Sequence, residues 1–293
     1  LSLSNTRLFG IFLVVVSAIL WSTAGLFVRM ADMDIWSILF WRSLFSCAAL
    51  GLYVLLRNRG AGPSVARSFG WQGAVTCLIS VLAAIAYIAS LQWTSVANVM
   101  TVYAALPFVA TAIAFAWFGE RVTTRFIIAG SLAFVGVAIT VGAAVTRQDI
   151  LGIVAAVVMT ACFASQLVIA RRYPSLDMTT ITVAAAALCV VVALPLMHWG
   201  LPSPRQLLAC ALYGALTTGA AYVLVMMGSR LTGSGEAGFI SMLDVVLGPF
   251  WVWLFYDERV GLAVFIGGAI VLLSVIWYLS GLGLAAKARA PSA

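Results

Sequence analysis

Charge is scarce in this 293-residue chain: Asp, Glu, Lys and Arg together supply 9% of it, against 64% hydrophobic residues. Soluble domains carry roughly 25% charged residues, so the shortage excludes a surface built to face water. Histidine is rarer still, with His198 alone, and the nine acidic residues are scattered along the chain. That leaves no nucleophile, base or metal constellation for an enzyme. The five cysteines (Cys47, Cys77, Cys162, Cys189, Cys210) all fall in apolar stretches without a C-x-x-C spacing. A disulfide framework and a metal site are therefore not expected, no cofactor is implied, and the thiols read as small packing residues. The net charge of +7 comes from basic residues standing singly between apolar segments. Nucleic-acid binding needs a basic patch, so that partner is excluded as well.

What the chain has instead is long apolar runs, with a mean hydropathy of +1.13. In hydrocarbon every backbone N–H and C=O must be satisfied internally, which leaves helices or a closed barrel. The runs are unbroken and do not alternate, so the expected fold is all-α: a polytopic membrane protein of ten transmembrane helices, each of about 20 residues. Punctuation by Gly, Pro and charge places them at 8–29, 35–56, 70–91, 95–118, 124–144, 150–170, 178–199, 205–228, 233–255 and 261–283. The first run is as long as a full span and carries Trp21 inside it, so it is expected to stay and not to be cleaved as a signal peptide. With the N-terminus placed in the cytoplasm, eleven of the 16 basic residues fall on the inner side and four on the outer, with Arg42 inside a helix. This obeys the positive-inside rule and requires an even number of spans.

The chain also repeats itself. A shift of 142 residues lays Gly10-Ile11 on Gly152-Ile153, Trp21 on Phe163 and Arg29 on Arg171. A shift of 138 lays Glu120-Arg121-Val122 on Glu258-Arg259-Val260, Thr94 on Thr232 and Gly130 on Gly268. Each half then holds five helices. Because five is odd, the second half lies upside down relative to the first, an arrangement that puts a substrate site at the interface of the halves. The expected division is a first repeat at 1–146, a second at 147–284 and a cytoplasmic tail at 285–293.

Several motifs sit at ordered spacings: Trp21-Ser22 in helix 1, Phe40-Trp41-Arg42 in helix 2, Ser90-Leu91-Gln92-Trp93-Thr94-Ser95-Val96-Ala97 at the helix 3 to 4 turn, and Pro107 followed by Gly119-Glu120-Arg121. By these the chain resembles the EamA branch of the drug/metabolite transporter superfamily, over nearly its whole length. The resemblance implies a ten-helix carrier in a bacterial-type inner membrane that exports small metabolites, with the aromatic amino-acid exporters looking most similar. A multidrug or other metabolite exporter of the same superfamily is the alternative. Small multidrug pumps use an acidic residue in helix 1, and none stands between Leu8 and Val28 here. In the second half the repeat register puts Val245 where a proline is expected, and the proline is Pro249.

Candidate substrate-binding residues follow from polar groups in the spans, where an ionisable side chain persists mainly beside a cavity or a partner. Arg42 is read either as an interfacial anchor that snorkels or as a carboxylate ligand. Asp244 reads as lying near the middle of helix 9. It is a proton-coupling group, since desolvation favours the neutral acid, or an acceptor for backbone groups freed by Pro249. Asn98 is the repeat mate of Glu236, whose bland role is to complement a helix start. Trp21, Tyr87, Tyr103, Phe163 and Tyr222 lie deep in their spans, where rings either stack on a substrate or pack helices together. Ser22, Gln166 and Met226 add lining at similar depth. Pro107 and Pro249 are candidate hinges for a rocking motion. Glu120 and Glu258 read as loop stabilisers beside Arg121 and Arg259, and His198, Trp71, Trp93, Trp199 and Trp277 as interfacial residues. The glycines of helices 5 and 10 permit close helix approach, as scaffold or as a homo-oligomer face, although a monomer suffices. The expected partners are a small-molecule substrate and the lipid bilayer.

Overall fold

The computed structural model describes residues 3–57, 70–119, 124–142, 146–231, 240 and 242–289. Every regular element among them is helical. Among the described residues, ten stretches of chain carry the helices: α1 (Leu3–Ser22) with α2 (Ala24–Ala31), α3 (Ile35–Arg57), α4 (Gly70–Trp93), α5 (Val96–Ala104) with α6 (Leu106–Phe118), α7 (Thr124–Gly142), α8 (Arg147–Arg172), α9 (Met178–Ala193), α10 (Pro204–Leu212) with α11 (Ala221–Leu231), α12 (Leu243–Tyr256) and α13 (Leu262–Arg289). Between α10 and α11 the chain winds as a π-helix over Tyr213–Ala220. Six of the stretches are long and apolar enough to cross a bilayer, and the pair α5–α6, bent by 42°, makes a seventh. The other three expected spans hold shorter apolar helices, Met178–Ala193, Leu243–Tyr256 and Leu262–Tyr278.

The packing relates the halves by exchange. Helix α4 packs along α8, and their repeat mates α11 and α1 pack along each other. Likewise α9 lies against α4 while α3 lies against the π-helix. Mates also meet directly, α7 with α13 and α5 with α12. The direction of these pairs shows the inversion. Arg125 near the start of α7 donates to the carbonyl of Trp277 late in α13, whereas Gly136 further along α7 faces Gly267 early in α13. This pair of repeat mates therefore runs antiparallel. The contact is close because both positions are glycine: a Cβ on Gly136 would stand 2.6 Å from the Gly267 carbonyl oxygen, and one on Gly267 2.5 Å from that of Gly136. This is the small-residue packing that lets helices associate where lipid offers no hydrophobic drive.

Among the described residues one span is broken, and its repeat mate has a helix start at the corresponding place. The break falls at Ala105, between α5 and α6, with Pro107 in the first turn of α6, where a missing N–H costs no helical bond. In the second half, α12 begins at Leu243, with Met242 as its cap. Shifted by 138 residues, the Ala105 cap falls on Leu243, one residue past the Met242 cap, so the two helix starts nearly coincide although the prolines do not. Helix α12 runs on through Pro249.

Candidate substrate site

Phe163 is the central ring. It projects from α8 between Tyr87 of α4, centroids 6.3 Å apart, and Tyr103 of α5, centroids 6.1 Å apart, both edge to face. Such pairs add about 0.5–1.5 kcal/mol each beyond their buried area. The two tyrosines belong to the first half and Phe163 to the second, so the cluster straddles the interface. One turn on from Phe163, on the same face, Gln166 accepts a hydrogen bond from Ser80 at 3.0 Å. The Nε2 of Gln166 is buried with no partner.

Arg42 is 8% exposed, inside the protein, which replaces the expectation of a snorkelling anchor. The long contact it makes shows how it is held: Nη1 donates to Thr218 Oγ1 at 3.4 Å, and the guanidinium lies 5.1 Å from the centroid of the Tyr213 ring. Its Nε is buried without a partner, as is the Tyr213 hydroxyl. Tyr213 and Thr218 both come from the π-helical stretch, a geometry frequent at functional sites. That stretch lies hard against α3 because residue 214 is glycine; a Cβ there would come within 2.8 Å of the Ser46 backbone nitrogen. Tyr213 and Thr218 were not singled out from the sequence. Their signal was a run of Gly and Thr inside an apolar span, Tyr213-Gly214-Ala215-Leu216-Thr217-Thr218-Gly219.

Asp244 is 7% exposed and stands in the first turn of α12. Its carboxyl lies beside the backbone N–H groups of Asp244 and Val245 at the helix start. Its Oδ1 is buried without a partner. Tyr87 lies within electrostatic reach of Tyr213, Asp244, Tyr103 and Arg42, which gathers the two charges and the aromatic cluster into one neighbourhood.

Other candidates lie elsewhere. Trp21 packs in a separate small cluster with Val14, Val225 and Ile240. Ser22 donates to the Ile19 carbonyl at 2.6 Å and accepts from Trp251 Nε1 at 2.8 Å, a partner not foreseen. Tyr222 is partly buried on α11 and Met226 is 38% exposed there. Glu236 and the Glu120-Arg121 pair fall outside the described residues.

Asn98 belongs to a polar network at the end of the bundle away from the chain termini. Glu258 accepts from Arg29 Nε at 3.0 Å through one oxygen and from the Val96 amide at 2.8 Å through the other. Arg29 also donates to the Thr94 carbonyl at 3.1 Å. The Thr94 hydroxyl donates to Asp149 at 3.1 Å and accepts from Asn98 Nδ2 at 2.8 Å. Glu258 therefore pairs with Arg29 and not with its neighbour Arg259, which lies 3.5 Å from Asp257. At the same end His198 is 4.0 Å from Asp34, with its side chain 93% exposed.

The model of the EamA-like transporter family matches the chain twice, over residues 8–142 and 148–280. A solved structure titled "Crystal structure of protein" superposes with a TM-score of 0.65 at 20% identity, over 98% of this chain and 99% of that one, a likeness of fold. No curated protein sequence matches.

Proposed function

The chain belongs to the EamA-like transporter family of the drug/metabolite transporter superfamily, and on that premise we propose that it exports aromatic or neutral amino acids by alternating access. The observation that carries this reading is the Tyr87–Phe163–Tyr103 cluster. Rings contributed by both halves at one interface give an apolar or aromatic side chain a surface to stack on, and a relative movement of the halves would open that surface to either side. The buried charges Arg42 and Asp244 in the same neighbourhood suit a substrate that is itself charged at two places. In the reading offered here, the cell is bacterial, the membrane is the inner one, and both termini lie in the cytoplasm, following the eleven-to-four distribution of basic residues. The end held by Arg29 and Glu258 is then the outer one.

The test is counterflow in proteoliposomes. Vesicles loaded with unlabelled phenylalanine should take up labelled phenylalanine transiently above equilibrium, a behaviour of carriers that channels do not show. Counterflow of tetraphenylphosphonium with none of any amino acid would replace this reading by that of a multidrug exporter.

A further inference from the structure

Arg42 is a guanidinium cation, and among the described residues its surroundings do little to balance it. The effective cost of taking such an ion out of water is several kcal/mol. Against that stand one hydroxyl, Thr218 at 3.4 Å, and the face of Tyr213 at 5.1 Å. A cation over a ring gains about 0.5–2 kcal/mol, and a neutral acceptor at that length adds little. Asp244, the acidic group in this neighbourhood among the described residues, lies beside the first amides of its own helix. The Nε of Arg42 is buried and has no acceptor.

The contrast with Arg29 shows what the chain does when it balances a guanidinium for its own sake: that one has Glu258 at 3.0 Å and a backbone carbonyl at 3.1 Å. A guanidinium left with Nε idle inside a transporter fits a planar anion that arrives and leaves. Nε and an Nη present two parallel N–H donors, the fork that a carboxylate accepts bidentately. Tyr87, within electrostatic reach of Arg42, joins this position to the aromatic cluster, so an anion held at Arg42 would have an apolar group directed towards the rings.

We propose that Arg42 is the carboxylate anchor of the substrate site, and that the substrate class is therefore an aromatic or apolar carboxylate, amino acids included, and not a cationic drug. The inference rests on the Tyr87–Phe163–Tyr103 neighbourhood being the substrate site. Thr218 and Tyr213 hold the guanidinium until the carboxylate takes over its Nε.

Binding to the purified full chain tests it, with four probes: phenylalanine, 3-phenylpropionate, which lacks the ammonium, phenylalaninamide, which lacks the carboxylate, and tetraphenylphosphonium. The wild type should bind phenylalanine and 3-phenylpropionate, and the amide about 10- to 100-fold more weakly, as expected for loss of charge-assisted hydrogen bonds. In Arg42→Gln the carboxylates should weaken by a similar factor, about 10- to 100-fold, so that phenylalanine and its amide become equal. Arg42→Lys, which keeps the charge but not the fork, should fall between and guards against a folding defect in the neutral variant. If phenylalanine binds wild type and both variants alike and the amide is still rejected, Arg42 is not the anchor while the amino-acid reading stands. If 3-phenylpropionate binds through Arg42 and no amino acid does, the anchor stands and the amino-acid reading falls. Binding of tetraphenylphosphonium alone overturns both.

Discussion

At the end of the bundle away from the termini, Glu258 gives one oxygen to Arg29 and the other to the Val96 amide. In the middle, Arg42 keeps an idle Nε and Asp244 an idle Oδ1. Both regions are built of an arginine, a carboxylate and threonines, and both join the two halves. What differs is whether the charged groups are satisfied. The end network binds α2, the α4–α5 turn, the start of α8 and the residues after α12 to one another through a paired arginine and carboxylate, which holds structure in place, although Asn98 Oδ1 is buried there without a partner. The middle keeps groups that are costly to leave unpaired, and a chain retains such groups where something else completes them. On this comparison the end is closure and the middle is reception.

The comparison can be broken from the middle by supplying what it lacks. Thr218→Glu places a resident carboxylate beside Arg42, making the middle resemble the end. Phenylalanine binding should fall more than about 10-fold, the scale of a charge-assisted bond, with thermal stability unchanged or raised. Unaltered binding would mean that Arg42 receives nothing. A smaller effect is expected from Phe163→Leu, which removes both edge-to-face pairs, worth about 1–3 kcal/mol together. Competition binding should show the preference for phenylalanine over leucine falling several-fold. An undiminished preference would place aromatic recognition away from this cluster. The smallest effect should come from Glu258→Gln, which makes the end resemble the middle. The Arg29–Glu258 pair is partly exposed, with side chains 25% and 21% accessible. Stability should therefore drop by about 1–2 kcal/mol, read from thermal unfolding in detergent, while the affinity for phenylalanine stays constant. A loss of affinity there would show that the two regions are one site.

How much of this was legible beforehand depended on distance along the chain. The antiparallel meeting of α7 with α13 was readable, because repeated motifs and an odd number of helices per half leave only the inverted arrangement. The aromatic cluster was readable residue by residue, but not as a cluster: Trp21 and Phe163 are repeat mates, and only Phe163 joins Tyr87 and Tyr103. That Asp244 stands in a first turn was not readable, because hydropathy is blind to the cap at Met242. Arg42 looked like a snorkelling residue because its position near a helix end permits that when the neighbours are lipid. Its neighbours are Tyr213 and Thr218, 171 and 176 residues away.

The sequence by itself determined the solvent, the secondary structure and the symmetry of this protein. Those follow from apolar length, from the demand that backbone groups be satisfied within each segment, and from repetition, all of which are local or self-referential. Only the tertiary structure decided which polar side chains find partners. Arg29 and Glu258 are 229 residues apart in sequence and 3.0 Å apart in space, whereas Arg42 and Asp244 remain without each other. Whether a buried charge is paired is set by the packing of helices from both halves, and no window of the chain contains that information.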